Sequence, residues 1–201
     1  MSAPRTLKRN YHHGDLRAAL ISAGLAILEG RDADDLGLRE VARAVGVSAA
    51  SVYRHFPNKE ALLQALAAEG LTRLGEAQRA ASEIAGGGGA GFAATGKAYV
   101  AFALANPALF RLIFASPVPE PGGEPSEKQD KASLLLMEFA ASQAVELGTN
   151  EVRRIATHAW ALVHGLAVLI LDKRLPNDPN LVANVIDKAV SQMRNSIVRA
   201  Q

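Results

Sequence analysis

The sequence contains no cysteine in its 201 residues, and this absence removes several classes of protein from consideration. Disulfide scaffolds, thiolate zinc sites and cysteine nucleophiles are excluded, and a reducing compartment is expected. Aromatic residues are also scarce, at 5% of the chain, whereas hydrophobic residues, many of them alanine, reach 49%. A composition rich in alanine and poor in aromatic residues favours helices over β-strands.

Long hydrophobic runs are absent as well. The longest apolar segment, residues 159–171, is interrupted by His164 and falls short of the roughly 20 residues that a membrane span needs. Basic residues near the amino terminus are not followed by the apolar segment of a signal peptide. From these absences we expect a cytoplasmic protein with no membrane partner.

Signatures of common enzyme sites are missing too. The sequence contains neither G-x-S-x-G nor H-E-x-x-H, and its five histidines lack the spacing of a metal site. Residues 86–91 match G-x-G-x-x-G and residues 91–97 match G-x-x-x-x-G-K, but no predicted strand precedes either match. Ala98 follows the second match and offers no hydroxyl group to magnesium. We therefore predict that the chain is not an enzyme and has no cofactor and no metal site.

The most informative stretch that is present, residues 36–59, has the pattern of two short helices joined by a tight turn. Gly46 ends the first helix, because glycine takes a left-handed conformation without steric cost. Ser48 caps the second helix through its hydroxyl group, and Pro57 stops it. The apolar face of the first helix is formed by Leu38, Val41, Ala42 and Val45.

The second helix separates inward from outward residues. Val52 and Phe56 are one turn apart and are predicted to face the core. A helix-turn-helix places its second helix in the major groove of DNA, and the outward residues here are small, cationic or able to donate hydrogen bonds. An ordinary helical hairpin inside a larger bundle is the alternative. The predicted DNA contacts are Arg39, Ser48, Ala49, Ala50, Ser51, Tyr53, Arg54, His55 and Lys59.

Positive charge is concentrated near this stretch. Residues 36–59 contain four lysines and arginines against one acidic residue, whereas residues 61–201 contain thirteen of each sign. The amino-terminal arm, residues 1–13, adds Arg5, Lys8 and Arg9. Such an arm is either a disordered tail or a segment that enters the minor groove.

The segment GVSAASVYRHFPNKEALL resembles the signature of the TetR family of transcriptional regulators. The matching residues include Gly46, Ser48, Tyr53, Phe56 and Lys59. Tyr11 to Leu16 and Trp160, His164 and Gly165 are similar to one subgroup of that family. The resemblance implies a dimer that binds a near-palindromic operator, a phosphate contact at Lys59 and a small-molecule pocket in the carboxyl-terminal part.

The rest of the chain is predicted to be all-α, with about nine helices. Glycines break the chain at 86–91 and a proline-rich loop spans 116–125. The predicted domains are the arm at 1–13, a TetR-type helix-turn-helix domain at 14–74 and a carboxyl-terminal ligand-binding and dimerisation domain at 75–201. Helices are expected over residues 15–29, 58–85, 92–105, 107–114, 126–148, 150–171 and 179–198, besides the two described above.

The last two predicted helices are apolar on more than one side, so a second copy of the chain is their natural cover. We therefore expect a homodimer through these helices, with two DNA-reading helices for two half-sites. The pocket implied by the resemblance has aromatic candidates that are otherwise plain core residues. They are Tyr99, Phe102, Phe110, Phe114, Phe139, Trp160 and His164.

The predicted function is a sequence-specific DNA-binding transcriptional regulator. A repressor released from a double-stranded DNA operator by a small apolar effector fits the residues best. Two alternatives are a helical DNA-bending protein without an effector and a helical interaction protein that does not bind DNA. The sequence identifies neither the effector nor the operator.

Overall fold

The computed structural model describes residues 16–115 and 149–199, with side chains for 16–115 and 153–193. All regular structure in these two ranges is helical, which agrees with the predicted all-α class. A short 3-10 helix, Ala33–Asp35, precedes α2. The α-helices are α1 Leu16–Leu28, α2 Leu38–Val45, α3 Ala49–His55, α4 Lys59–Ile84, α5 Gly88–Ala105, α6 Pro107–Phe114, α7 Thr149–Leu171 and α8 Pro179–Arg199.

Three predicted features lie outside the described residues. They are the basic arm with Arg5, Lys8 and Arg9, the loop at 116–125, and the helix at 126–148 with Phe139.

Helix ends follow the predicted caps in most places. The Asn58 Oδ1 atom accepts a hydrogen bond from the Ala61 backbone N–H at 2.8 Å and so caps α4. α6 begins at Pro107 and ends at Phe114, as the sequence predicts. α7 begins one residue earlier than expected, so Asn150 lies in its first turn and not before it.

The glycine-rich segment differs from its prediction. The sequence predicts a helix from Phe92, whereas α5 begins at Gly88. The turn needs positive φ angles only at residues 86–88. At Gly91, in the first turn of α5, an added Cβ would approach the Ser82 Oγ to 2.6 Å. Close packing of α5 on α4 therefore overrides the low helix propensity of glycine.

The chain forms two compact units, Met1–Leu66 and Ala67–Gln201, and α4 belongs to both. In the first unit, α2 packs against α1 and α3. Its core includes side chains that are almost fully buried: Leu20, Val41, Val52, Phe56 and Leu62. The predicted domain limits at 14–74 and 75–201 stay predictions.

In the second unit, α5 packs against α7 and α8. The core between them contains Val100, Val163, Ala167 and Ile186. The 19-residue stretch of α7 from Arg153 to Leu171 is long and apolar enough to cross a membrane. The core helix of a soluble protein meets the same criterion of length and composition. α5 and α6 taken together meet the same criterion but are bent by 109°.

α6 lies close against α4 at Gly70. A Cβ added there would be 2.7 Å from Leu109 Cδ1 and 3.0 Å from Ile113 Cδ1, both on α6. The absence of a side chain at Gly70 therefore allows this approach. Arg111 on the same helix donates a 2.7 Å hydrogen bond to the Asp172 carboxylate just after α7, an exposed ion pair that links α6 to the end of α7.

Candidate nucleic-acid interface and effector site

The turn between α2 and α3 has the geometry that the sequence predicts. Gly46 is left-handed, with φ 77° and ψ 30°, and ends α2. The Val47 N–H donates to the Ala42 carbonyl at 2.9 Å, which closes the turn. The Ser48 Oγ accepts from the Ser51 backbone N–H at 3.2 Å and caps α3. Residues 38–55 therefore form a helix-turn-helix.

α3 divides its residues between core and solvent. Val52 is 0% exposed and Phe56 is 1% exposed, whereas Tyr53 between them is 47% exposed. The outward positions, which we call the α3 surface, are Ala50, Ser51, Tyr53 and Arg54.

Hydrogen bonds already order part of this surface. The Ser48 and Ser51 hydroxyl oxygens are 2.9 Å apart. The Arg54 Nη2 donates toward the Ser51 Oγ at 3.5 Å. These side chains form a short polar row along one side of α3, and less conformational freedom is lost when such a row binds DNA.

The charge around the α3 surface is more positive than the sequence count indicates. Arg31 forms an ion pair with Glu40, the acidic residue within 36–59. Arg39 and Arg43 on α2 are exposed, as are Arg54 and His55 on α3. An exposed ion pair adds little stability, but it weakens the repulsion that the Glu40 carboxylate would otherwise exert on a phosphate backbone.

Lys59 has a structural contact that the sequence does not predict. Its Nζ donates a hydrogen bond to the Asp34 backbone carbonyl, which joins the start of α4 to the short 3-10 helix. An ammonium group has three donors, so this bond leaves two for a phosphate. The bond also accounts for a lysine in the first turn of a helix, where the dipole disfavours a cation.

Five of the seven predicted effector residues lie together in the second unit. We call them the ring cluster: Tyr99 on α5, Phe110 and Phe114 on α6, and Trp160 and His164 on α7. Ring centroids are 5.7 Å apart for Tyr99 and Phe110 and 4.9 Å apart for Phe114 and His164, both edge-on. Such edge-on pairs are the favourable arrangement of aromatic rings.

The two remaining predicted residues differ from these five. Phe102 packs partly buried against the same core, but it is not in the ring contacts found among the described residues. Phe139 lies outside the described residues.

Three polar side chains meet inside the ring cluster. The Trp160 Nε1–H donates to the Tyr99 hydroxyl oxygen at 3.3 Å, and that oxygen lies 2.9 Å from the His164 Nδ1. Burial raises the pKa of the Tyr99 hydroxyl strongly, although the bond from Trp160 opposes this change. Burial lowers the pKa of His164, so its neutral imidazole is favoured.

Comparison with known families assigns both units. A family described as "Bacterial regulatory proteins, tetR family" matches residues 20–66. A second, described as "Tetracyclin repressor-like, C-terminal domain", matches residues 92–193, which is half of the chain. The chain belongs to the TetR family. The segment that matches the first family contains the helix-turn-helix described above.

Relatives of this TetR-family chain agree with the assignment. It is 26% identical over 151 residues to an HTH-type transcriptional regulator of Mycobacterium tuberculosis, which covers 74% of this chain. The chain spans only 64% of the length of that regulator. A protein of unknown function from Rhodococcus sp. RHA1 is 34% identical, with 96% and 98% of the two chains covered and a TM-score of 0.72.

One further structure shares the fold alone. A TetR variant from Acinetobacter baumannii, solved in complex with minocycline, is 17% identical to this chain. The two structures cover 90% and 97% of their chains with a TM-score of 0.61.

Sequence reasoning about this TetR-family chain missed one contact near the helix-turn-helix. The Arg17 guanidinium carbon lies 5.3 Å from the centroid of the Phe56 ring, a cation–π contact between α1 and the end of α3. The two residues are far apart in sequence. No local pattern of residues indicates this pairing.

Proposed function

We propose that this regulator is a repressor that binds its operator as a homodimer and leaves it when a small apolar effector binds the ring cluster. The observation that supports DNA reading most directly is the division of α3. Two buried residues fix the helix, and Tyr53 between them faces solvent beside Ser51 and Arg54. A helix held in this way presents a constant set of side chains to a groove.

We assign the DNA contacts from the size, hydrogen-bonding groups and charge of each side chain. Ala49 and Ala50 are small enough for α3 to enter the major groove and to touch thymine methyl groups. Ser48, Ser51 and Tyr53 supply hydroxyl groups. The proposed phosphate contacts are Arg39, Arg54, His55 and Lys59, and Arg5, Lys8 and Arg9 of the arm are assigned to the minor groove.

The dimer is proposed from apolar surface that one copy leaves uncovered. Leu169 on α7 is 44% exposed, and Leu162 and Val168 beside it are only partly buried. Val185 on α8 is partly exposed as well. A two-fold dimer through these helices would bring two α3 helices to half-sites about 34–36 Å apart, one turn of DNA.

The release step is proposed from the position of α6. This helix carries Phe110 and Phe114 of the ring cluster, and its Leu109 lies against Gly70 of α4. α4 follows α3 in sequence, so a shift of α6 would change the strain on the helix that leads to the DNA-reading module. An effector shifts this equilibrium only by its difference in affinity for the two states.

Selection of bound sequences from a random DNA pool tests the proposal. We expect a near-palindromic site whose half-sites are one helical turn apart, together with a dimer mass in solution. A footprint without sequence preference would favour the DNA-bending alternative. DNA association without salt dependence would favour the interaction protein. We also propose that the protein acts in the cytoplasm, where its operator DNA lies.

A further inference from the structure

The hydrogen bonds in the ring cluster define which atom donates and which accepts. An indole N–H only donates, so the Tyr99 oxygen is the acceptor from Trp160. Tyr99 is 1% exposed, and a buried hydroxyl proton without an acceptor is costly. Among the described residues, His164 Nδ1 is the acceptor within reach of that proton. Tyr99 therefore donates to Nδ1, and Nδ1 carries no proton.

This direction fixes the state of the imidazole. A neutral histidine with a bare Nδ1 carries its proton on Nε2, so Nε2–H is a donor. No acceptor for Nε2–H is found within residues 16–115 and 149–199. His164 is only half-buried, with the rings of Phe110, Phe114 and Trp160 around it. The ring cluster thus presents one hydrogen-bond donor in an otherwise apolar setting.

No charged side chain is buried among the described residues. Ser82, between α4 and α5, is the buried polar residue of that set, and the core around Tyr99 is otherwise made of apolar side chains. Arg111 lies on α6 but is exposed and paired with Asp172. A charged effector would lose its hydration here without gaining a partner of opposite sign.

We infer that the effector is an uncharged, largely apolar molecule, and that a carbonyl or similar oxygen of it accepts a hydrogen bond from His164 Nε2–H. This inference rests on the proposed effector role of the ring cluster. The partly buried rings of Phe114 and Trp160 favour a flat ring system in the effector, because offset and edge-on contacts with them are then available. Trp160 and Tyr99 act as positioning residues, since they hold His164 in the donor state.

Three probes of similar shape test the inference by equilibrium dialysis with the 201-residue chain. They are 2-acetylnaphthalene with a carbonyl acceptor, 2-ethylnaphthalene without one, and the 2-naphthoate anion. We expect the ketone to bind roughly tenfold more tightly than the hydrocarbon, which is the effect of one net hydrogen bond. The anion should bind more weakly than both.

Variants of His164 separate its proposed hydrogen bond to the ligand, which we call the anchor, from the apolar contacts. His164→Phe should lose the ketone preference and favour the hydrocarbon, because the carbonyl then gives up its water without gaining a donor. His164→Gln keeps an N–H donor and should retain part of the preference. His158→Phe, the same change on the exposed side of α7, should leave the preference intact. Thermal melts of each variant verify that it folds, and the glutamine variant keeps the test valid if the phenylalanine variant does not.

The outcomes are decisive in both directions. Equal binding of ketone and hydrocarbon by the wild type, tightest binding of the anion, or no binding of any probe up to its solubility limit would overturn the inference. A ketone preference that survives in His164→Phe would overturn the anchor. DNA affinity is measured separately: ketone binding without any loss of DNA affinity would reject the release step and leave the site standing.

Discussion

The α3 surface and the ring cluster have one residue type in common, tyrosine, and the fold uses it in opposite ways. Tyr53 and Tyr99 are both tyrosines on helices, yet Tyr53 is 47% exposed and Tyr99 is 1% exposed. Tyr53 has neighbours that bond along the helix surface, whereas Tyr99 bonds to residues on another helix, 61 and 65 positions away. We propose that the first site meets a large charged partner and that the second excludes charge.

The side chains of the two sites are held in place by different contacts. The α3 surface is ordered by what lies beneath it, since Val52 and Phe56 fix the helix from the core side. The ring cluster is ordered by its own contacts, because each member packs on or bonds to another. A change in the core below α3 should therefore remove DNA binding through loss of the fold, whereas a change on its surface should act on DNA alone.

The largest expected effect tests this contrast on α3. Phe56→Ala should destabilise the first unit by about 3–5 kcal/mol, because it removes a fully buried ring and leaves a cavity. Tyr53→Ala removes a ring of similar size from the exposed side and should change stability by less than about 1 kcal/mol. Denaturant titrations followed by far-UV circular dichroism measure both. Equal losses would show that Tyr53 is also structural.

The next effect tests the close approach of α6 to α4. Gly70→Ala should cost about 1–3 kcal/mol, since the new Cβ would press on Leu109 and Ile113. The double variant Gly70→Ala with Leu109→Ala should lose less than the sum of the single changes, because the second change opens space for the first. Strict additivity in thermal melts would indicate that α6 moves aside freely.

A smaller effect concerns affinity for DNA. Tyr53→Ala and Lys59→Ala should each weaken binding by about 1–1.5 kcal/mol, roughly tenfold. Lys59→Ala should lower affinity for operator and unrelated duplex alike, as expected for a phosphate contact. Fluorescence anisotropy titrations at fixed salt measure the loss.

Lys59→Arg is the matched control, since it keeps the cation. Because Lys59 also bonds to the Asp34 carbonyl, the melting temperature of each variant is measured beside its affinity. Unchanged affinity of Lys59→Ala at unchanged stability would contradict the phosphate contact.

Local patterns predicted the helices and the α3 surface well. The four-residue spacing of Val52 and Phe56 is enough to orient α3, and Gly46, Ser48 and Pro57 mark its turn and ends. Contacts between distant residues could not be predicted in this way. The bond of Lys59 to Asp34 spans 25 positions, and the pairing of Arg17 with Phe56 depends on how α1 packs.

The ring cluster was predicted as a set of aromatic candidates without its arrangement. The resemblance implied a pocket, but nothing in the spacing of Tyr99, Trp160 and His164 shows that they bond to one another. The start of α5 at Gly88 was missed for a related reason. Glycine has a low helix propensity, and only the packing of Gly91 on Ser82 shows why the helix forms there.

The smallest expected effect is a pH dependence of the ring cluster. Burial lowers the pKa of His164 in the folded protein from its ordinary value of 6.5, so between the two pKa values the unfolded chain binds more protons than the folded one. The contribution of neutral His164 is therefore fully present above pH 6.5 and is lost progressively as the pH falls toward the folded pKa. Protonation of Nδ1 would also replace the bond from Tyr99 with two opposed donors.

Melting temperatures between pH 7.5 and pH 5, compared for wild type and His164→Gln, measure this dependence. We expect the wild type to lose more stability on acidification than the variant, with His158→Gln behaving as the wild type. Protonation breaks the bond from Tyr99 to Nδ1 but keeps Nε2–H as a donor, now on a charged ring. Because Tyr99 then no longer orients the imidazole, ketone binding should change over the same pH range. If stability and ketone binding change over different pH ranges, the bonds among Tyr99, Trp160 and His164 are separate from the proposed hydrogen bond of His164 to the effector.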